Sequence, residues 1–212
     1  VTPVPRIIVL AGVNGAGKSS LLGLQLRGQN MTFFNPDLVA RRIGEETGWT
    51  AEQANAEAWQ KMKTTLEAAI ETRESFAFES TLGGNTIPAL LRKAAEAGIE
   101  VYIWFVGLAS PEMHMQRVRA RVAAGGHDIP EEKIRERWNA SRMNIIELLP
   151  VITELVLFDN SEEGDPAKGE ARAPRLLLHW RQGRIVAPPI PELDATPAWA
   201  RPIAGAALKF QR

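Results

Sequence analysis

Residues 12–19 read Gly-Val-Asn-Gly-Ala-Gly-Lys-Ser and fill every fixed position of the pattern G-x-x-x-x-G-K-[ST]. No other feature restricts the fold as strongly. Glycines let the backbone wrap so that successive N–H groups converge on an anion. A helix that follows adds the positive end of its dipole. Lys18 supplies a mobile charge to the outer phosphates, and the Ser19 hydroxyl can ligate Mg²⁺. The flanks suit this geometry. Arg6 to Ala11 is a β-branched apolar run without alternation, as in a strand buried on both faces. Lys18 to about Arg27 reads as a helix stopped by Gly28. Gly12, Asn14, Gly15, Ala16, Gly17, Lys18, Ser19 and Ser20 are therefore the expected contacts to a nucleotide's phosphates.

Downstream, strand and helix signals alternate. Met31 to Phe34 predicts a second strand, and Asn35-Pro36 is a helix cap followed by proline at the first helical position. That helix stops near Gly48. Thr50-Ala-Glu-Gln53 has capping-box form and opens a long helix to about Arg73. Further strands are expected at Ser75–Phe78, Val101–Val106 and Glu154–Phe158, with helices at Thr86–Ala97, Ser110–Ala124 and Glu131–Leu149. This alternation implies a three-layer α/β fold with a central parallel sheet of five strands, ligands sitting at the strands' carboxyl ends. Residues 1–161 are expected to form this unit. Residues 162–212 supply a loop, a hairpin turning at Gln182-Gly183 and a proline-containing tail, packed on the same unit. Residues 188–212 show no clear period.

Composition removes several classes. Of 212 residues, 25 are Lys or Arg and 25 Asp or Glu, so no global field draws the chain to nucleic acid or an anionic membrane. A polynucleotide acceptor is disfavoured for the same reason. There are no cysteines, so thiol catalysis and disulfides are out. The histidines, His114, His127 and His179, lack metal-ligand spacing. Ile7 to Val13 falls far short of the roughly 20 apolar residues a bilayer requires. A cytoplasmic location is expected.

Three further features bear on chemistry. Asp37 sits in the first helical turn after the second strand, where a carboxylate can point back toward a γ-phosphate and orient or deprotonate a hydroxyl. A helix-start Asp also favours the dipole without any catalytic role. Glu79-Ser80-Thr81 ends the third strand, a good place to hold a hydroxylated substrate or simply to turn the chain. Arg117, Arg121, Arg135, Arg137 and Arg142 flank Gly125-Gly126, so that residues 117–142 resemble a lid carrying guanidinium groups onto transferring phosphate. The same arginines also suit a solvated face paired with Glu131, Glu132 and Glu136.

The ordered series Gly-Val-Asn-Gly-Ala-Gly-Lys-Ser, Asn-Pro-Asp, Phe-Glu-Ser-Thr-Leu, Arg-Val-(x)2-Arg-Val-(x)2-Gly-Gly-His-(x)-Ile-Pro and Asp-Asn-Ser resembles the zeta toxin family over roughly residues 6–161. The resemblance implies a P-loop kinase fold and an ATP- (or GTP-) and Mg²⁺-dependent phosphotransferase. Its acceptor would be a small-molecule hydroxyl such as that of UDP-N-acetylglucosamine, and a small antitoxin protein would be its partner. By the same resemblance Lys18 is the phosphate-loop lysine and Ser19 the Mg²⁺ ligand. Asp37 is the base, Glu79, Ser80 and Thr81 lie on the substrate side, and Arg121 and Arg137 grip the phosphates. The Thr50–Arg73 helix is the expected substrate cover. A nucleotide-dependent switch or ATPase without an acceptor is the other reading left open at this stage.

Overall fold

The computed structural model describes residues 4–18, 33–162 and 173–211. Strand β1 (Arg6–Ala11) is third in a seven-stranded sheet ordered β2-β3-β1-β4-β5-β6-β7, and so the middle one of its five parallel strands. Strands β2 (Phe33–Phe34), β3 (Phe76–Ser80), β4 (Glu100–Gly107) and β5 (Glu154–Asp159) all run parallel to their neighbours on that side. These are the five expected parallel strands.

The width of the sheet is a correction to the five-stranded expectation. Strands β6 (Arg175–Arg181) and β7 (Arg184–Ala187) pair antiparallel and continue the same sheet from β5. An uncovered β5 would expose a row of unpaired N–H and C=O groups, and the hairpin satisfies them. Its turn uses Gln182 and Gly183, both left-handed (φ 49° and 80°), a geometry that matches the twist of the strands it joins.

The helices are α1 (Pro36–Thr47), α2 (Ala51–Thr72), α3 (Thr86–Glu96), α4 (Pro111–Ala123), α5 (Glu131–Leu148) and α6 (Arg201–Lys209). Local signals start three of them. Asn35 accepts from the amides of Asp37 and Leu38, Thr50 and Gln53 close a capping box, and Ser110 accepts from the amide of Met113. The main core fills one face of the sheet, where Ile7, Val9, Ile103, Phe105, Leu155 and Leu157 meet Leu66 of α2, Leu91 of α3, Ile145 of α5 and Ile203 of α6. Helices α1 and α2 form a separate pair through Ala40, Ile43, Ala54 and Ala58. That pair stands at the carboxyl edge of the sheet, and its place there shapes the site below.

The tail has more order than its sequence suggests. A 3₁₀ segment (Ile190–Ala195) leads to Trp199 and then α6. Trp199 is 4% exposed and lies against Gly107, where an added Cβ would fall 2.2 Å from the indole. Gly107 thus exists as glycine to seat that ring. The expected helix from Lys18 to Arg27, Ser19, Ser20 and the start of the second strand lie outside the described residues. Among the described residues, no helix is long and apolar enough to cross a membrane.

Candidate active site

Parallel pairing brings the carboxyl ends of β1, β2, β3, β4 and β5 to one edge. The loop after β1 emerges at its centre. Gly12, Gly15 and Gly17 adopt φ values of 146°, 83° and 84°, which side-chain-bearing residues rarely take. Gly12 is also hemmed in, since a Cβ there would lie 2.4 Å from the carbonyl oxygen of Val106. Its amide donates to the Ser80 carbonyl at 3.1 Å, joining the loop to the end of β3.

The carbonyls of this loop have partners from distant elements. Lys18 Nζ donates to the Gly12 oxygen at 2.7 Å. Asn160 Nδ2, just past β5, donates to the Ala16 oxygen at 2.8 Å, while its own carbonyl accepts from Arg117 at 2.7 Å. His114 Nδ1 of α4 lies 2.9 Å from the Asn14 oxygen. Because a carbonyl only accepts, Nδ1 carries the proton. The Asn14 side-chain oxygen accepts from Arg137 of α5 at 2.8 Å. With these carbonyls tied back, and with the Gly12 and Ala16 amides bonded to the carbonyls of Ser80 and Val13, the amides of Gly15, Gly17 and Lys18 are the ones offered to an anion.

His114 is fully buried, and burial first of all pushes its imidazolium down to about 4. Nearby Lys18 and Arg117 push the same way, against the hydrogen bond to Asn14. The ring is therefore neutral near pH 7. In the unfolded chain it protonates near 6.5, so between about 6.5 and 4 the unfolded state binds the extra proton and stability falls as pH falls. This contribution is fully present above 6.5 and gone below about 4; its ceiling is about 3 kcal/mol. In thermal unfolding followed across that window, His114→Gln should show a shallower decline than the parent protein. Parallel curves would contradict the assignment.

Lys18 is buried, and its Nζ also lies 3.3 Å from Glu79 Oε1 at the end of β3. Both residues line a cavity of about 550 Å³ at the sheet edge. The α1–α2 pair lines it as well, contributing Asp37 at the start of α1 and Asn55, Trp59 and Met62 along α2. Ser80 and Thr81 line the same space, as do Gly83, His127, Lys133 and Arg137. Asn144 of α5 clamps the loop after β3 by donating to the carbonyls of Leu82 (2.6 Å) and Gly84 (3.1 Å). Leu82 itself is held at φ 52° with 1% exposure, a strained conformation that the clamp supports.

Asp37, Lys18, Glu79, Ser80, Thr81, Asn14 and Arg137 thus come together. Arg121 does not line the cavity; it donates to the His127 carbonyl at 3.0 Å and lies against Gly126, bracing the turn between α4 and α5. Arg135 pairs with Glu112 at 2.6 Å, Arg119 pairs with Glu131, and Arg142 lies 3.5 Å over the Trp138 ring. Sequence reasoning assigned no site role to His114 or Trp59, showed Asn35 only as a helix cap, and showed Asn160 only within the Asp-Asn-Ser motif. Trp59 is discoverable from its helical spacing with Asn55 and Met62, but the partners of the other three are remote in sequence. Among the described residues, no group of three or more His, Asp or Glu side chains could hold a metal ion. Ser19 falls outside the described residues.

A glycine-rich loop after the middle parallel strand, with its lysine and a carboxylate lining the same cavity, defines a protein with the P-loop kinase fold. The chain belongs to the zeta toxin family, whose model, Zeta toxin, matches residues 2–163. An uncharacterized protein of Haemophilus influenzae is 30% identical over 133 residues, which are 63% of this chain and 92% of that one. Among solved structures, the AvrRxo1-ORF1:ORF2 complex with ATP is similar with a TM-score of 0.67 at 15% identity. That match covers 93% of this chain, which spans only 65% of the other's length. The PezAT chromosomal toxin–antitoxin system of Streptococcus pneumoniae is similar with a TM-score of 0.56 at 13% identity, covering 82% of this chain and 72% of that one. At these identities the structural likeness establishes the fold. Family and fold together support a P-loop phosphotransferase.

Proposed function

We propose that the protein transfers the γ-phosphoryl group of ATP to a hydroxyl of a small molecule. UDP-N-acetylglucosamine is the first acceptor to test. The observation that carries this reading is the shared cavity, which Asn14 and Lys18 of the phosphate loop line together with Asp37. The loop fits a triphosphate because its glycines take left-handed or extended-positive φ and its carbonyls are tied back. Asp37 accepts the acceptor's proton as the hydroxyl oxygen bonds to the γ-phosphorus; the bond to the β–γ bridging oxygen breaks and ADP leaves. Lys18 leaves Glu79 and the Gly12 carbonyl to follow the charge on the phosphates, and Arg137 approaches from α5. Ser19 would hold Mg²⁺, which supplies charge neutralisation at the phosphates. Arg121, in the last turn of α4, shapes the lid by bracing the chain at His127.

Residues 1–161 would carry the transfer site, with 162–212 supporting it. The family, together with the PezAT system among the similar structures, supports an antitoxin protein as partner. A cytoplasmic setting, where nucleotide and acceptor are both found, suits this reading.

Incubation with γ-labelled ATP, Mg²⁺ and candidate nucleotide sugars tests it. Label on a sugar hydroxyl is the expected outcome. Release of free phosphate alone, with every acceptor unlabelled, would favour an ATPase or nucleotide-dependent switch instead.

A further inference from the structure

We propose that Asn35 is a positioning residue that ties Asp37 to the phosphate loop through Glu79. This rests on the reading of Asp37 as the group that serves the acceptor hydroxyl. Strand register places the Asn35 and Glu79 side chains. Phe33 pairs with Ala77 and Phe34 with Phe78 on parallel strands, so the next residues on each, Asn35 and Glu79, emerge side by side. The two ends of the Asn35 amide then do different work. Its Oδ1 accepts from the amide of Asp37 at 2.9 Å and from that of Leu38 at 3.2 Å, fixing the first turn of α1. Its Nδ2 donates to Glu79 Oε2 at 3.1 Å. The other oxygen of Glu79 faces Lys18 Nζ at 3.3 Å.

A continuous polar chain therefore runs from Lys18 through Glu79 and Asn35 to the backbone of Asp37. Only a side chain with both an acceptor and a donor can complete it. Aspartate and serine cap helices about as well as asparagine. Aspartate has no donor for Glu79 and sets a second carboxylate against it, and serine is too short to satisfy both sides. A cap alone would therefore tolerate either replacement, whereas a link to Glu79 tolerates neither. Pro36 adds to the arrangement by fixing the backbone between cap and carboxylate. A displacement of about 1 Å in a reacting group costs up to about 100-fold in rate, so loosening this tie is expected to show in turnover.

The test uses the full chain with γ-labelled ATP and Mg²⁺, scoring transfer to UDP-N-acetylglucosamine or, where no label moves to it, release to water. Asn35→Ser should lower kcat about 10- to 100-fold while KM for ATP stays within about twofold. Its thermal midpoint and helix content should match the parent, because the cap survives. Asn35→Asp should lose at least as much turnover. In the Asp37→Ala background, Asn35→Ser should cause no further loss, since its effect passes through Asp37. Wild-type kcat in Asn35→Ser or Asn35→Asp would overturn the proposal, and so would an equal further loss in the absence of Asp37. If Asp37→Ala itself turns over at the wild-type rate, or the parent protein turns over no ATP, the reading of the site fails first. If Asp37→Ala is inactive while Asn35→Ser is normal, the proposal alone falls.

Discussion

Replacing Asp37 by alanine is expected to lower kcat for phosphoryl transfer by about two to four orders of magnitude, the range a positioned general base contributes. Nucleotide affinity should change little. Asp37 is exposed and lines the cavity, and its hydrogen bond to Asn35 is made by its backbone amide rather than its carboxylate. Removing the carboxylate therefore leaves the loop, Lys18 and the cap of α1 unaltered. The diagnostic pattern is a fall in kcat with KM for ATP unchanged, which marks loss of an interaction made in the transition state. A rise in KM at unchanged kcat would instead make Asp37 a simple binding contact.

Lys18→Ala should damage both binding and turnover. The ammonium group is buried, with the Gly12 carbonyl at 2.7 Å and Glu79 at 3.3 Å as its partners. Its loss removes the positive charge nearest the outer phosphates and leaves Glu79 facing them uncompensated. Charge-assisted contacts of this kind contribute about 1.5–3 kcal/mol each, so nucleotide affinity should fall about 10- to 100-fold. kcat should fall further, because charge on the transferring group grows in the transition state. Titration with ATP, read by calorimetry, checks the first number, and single-turnover transfer the second. Lys18→Arg is not expected to rescue, since the larger planar guanidinium does not fit a buried point-charge position.

Much of the architecture was legible because its signals are local. The Asn35-Pro36, Thr50-to-Gln53 and Ser110-Pro111 caps each declare a helix start within a few residues, and each forms as read. The buried parallel strands show as unbroken apolar runs. What remained hidden depends on distant contacts. Helix α6 is nine residues long and is interrupted by Pro202 and Gly205, so despite its alanines it is too short to announce itself. Burial of Trp199, Ile203 and Ala207 in the main core holds it. Likewise, nothing local shows that the Gln182-Gly183 hairpin will extend the sheet from β5.

The site divides along the same line. Lys18, Asp37 and the Glu79–Thr81 run stand out because each follows a strand end in a recognisable sequence context. The residues that hold them do not. Asn35 meets Glu79 across 44 positions, His114 meets Asn14 across 100, and Asn160 meets Ala16 across 144. No periodicity relates such pairs; only the strand order makes them neighbours. Arginines show the converse. The sequence grouped Arg117, Arg121, Arg135, Arg137 and Arg142 as a lid, yet of these five only Arg137 lines the cavity.

The account turns on Asp37 facing the outermost phosphorus of a triphosphate held by the loop. A crystal structure with Mg²⁺ and a non-hydrolysable ATP analogue measures that directly. One hydroxyl must fit between carboxylate and phosphorus, which places a carboxylate oxygen about 6–7 Å from the γ-phosphorus. That distance, with the analogue's phosphates on the amides of Gly15, Gly17 and Lys18, is the expected result. A γ-phosphorus more than about 10 Å from Asp37, with helix α1 closed over the cavity, would contradict it.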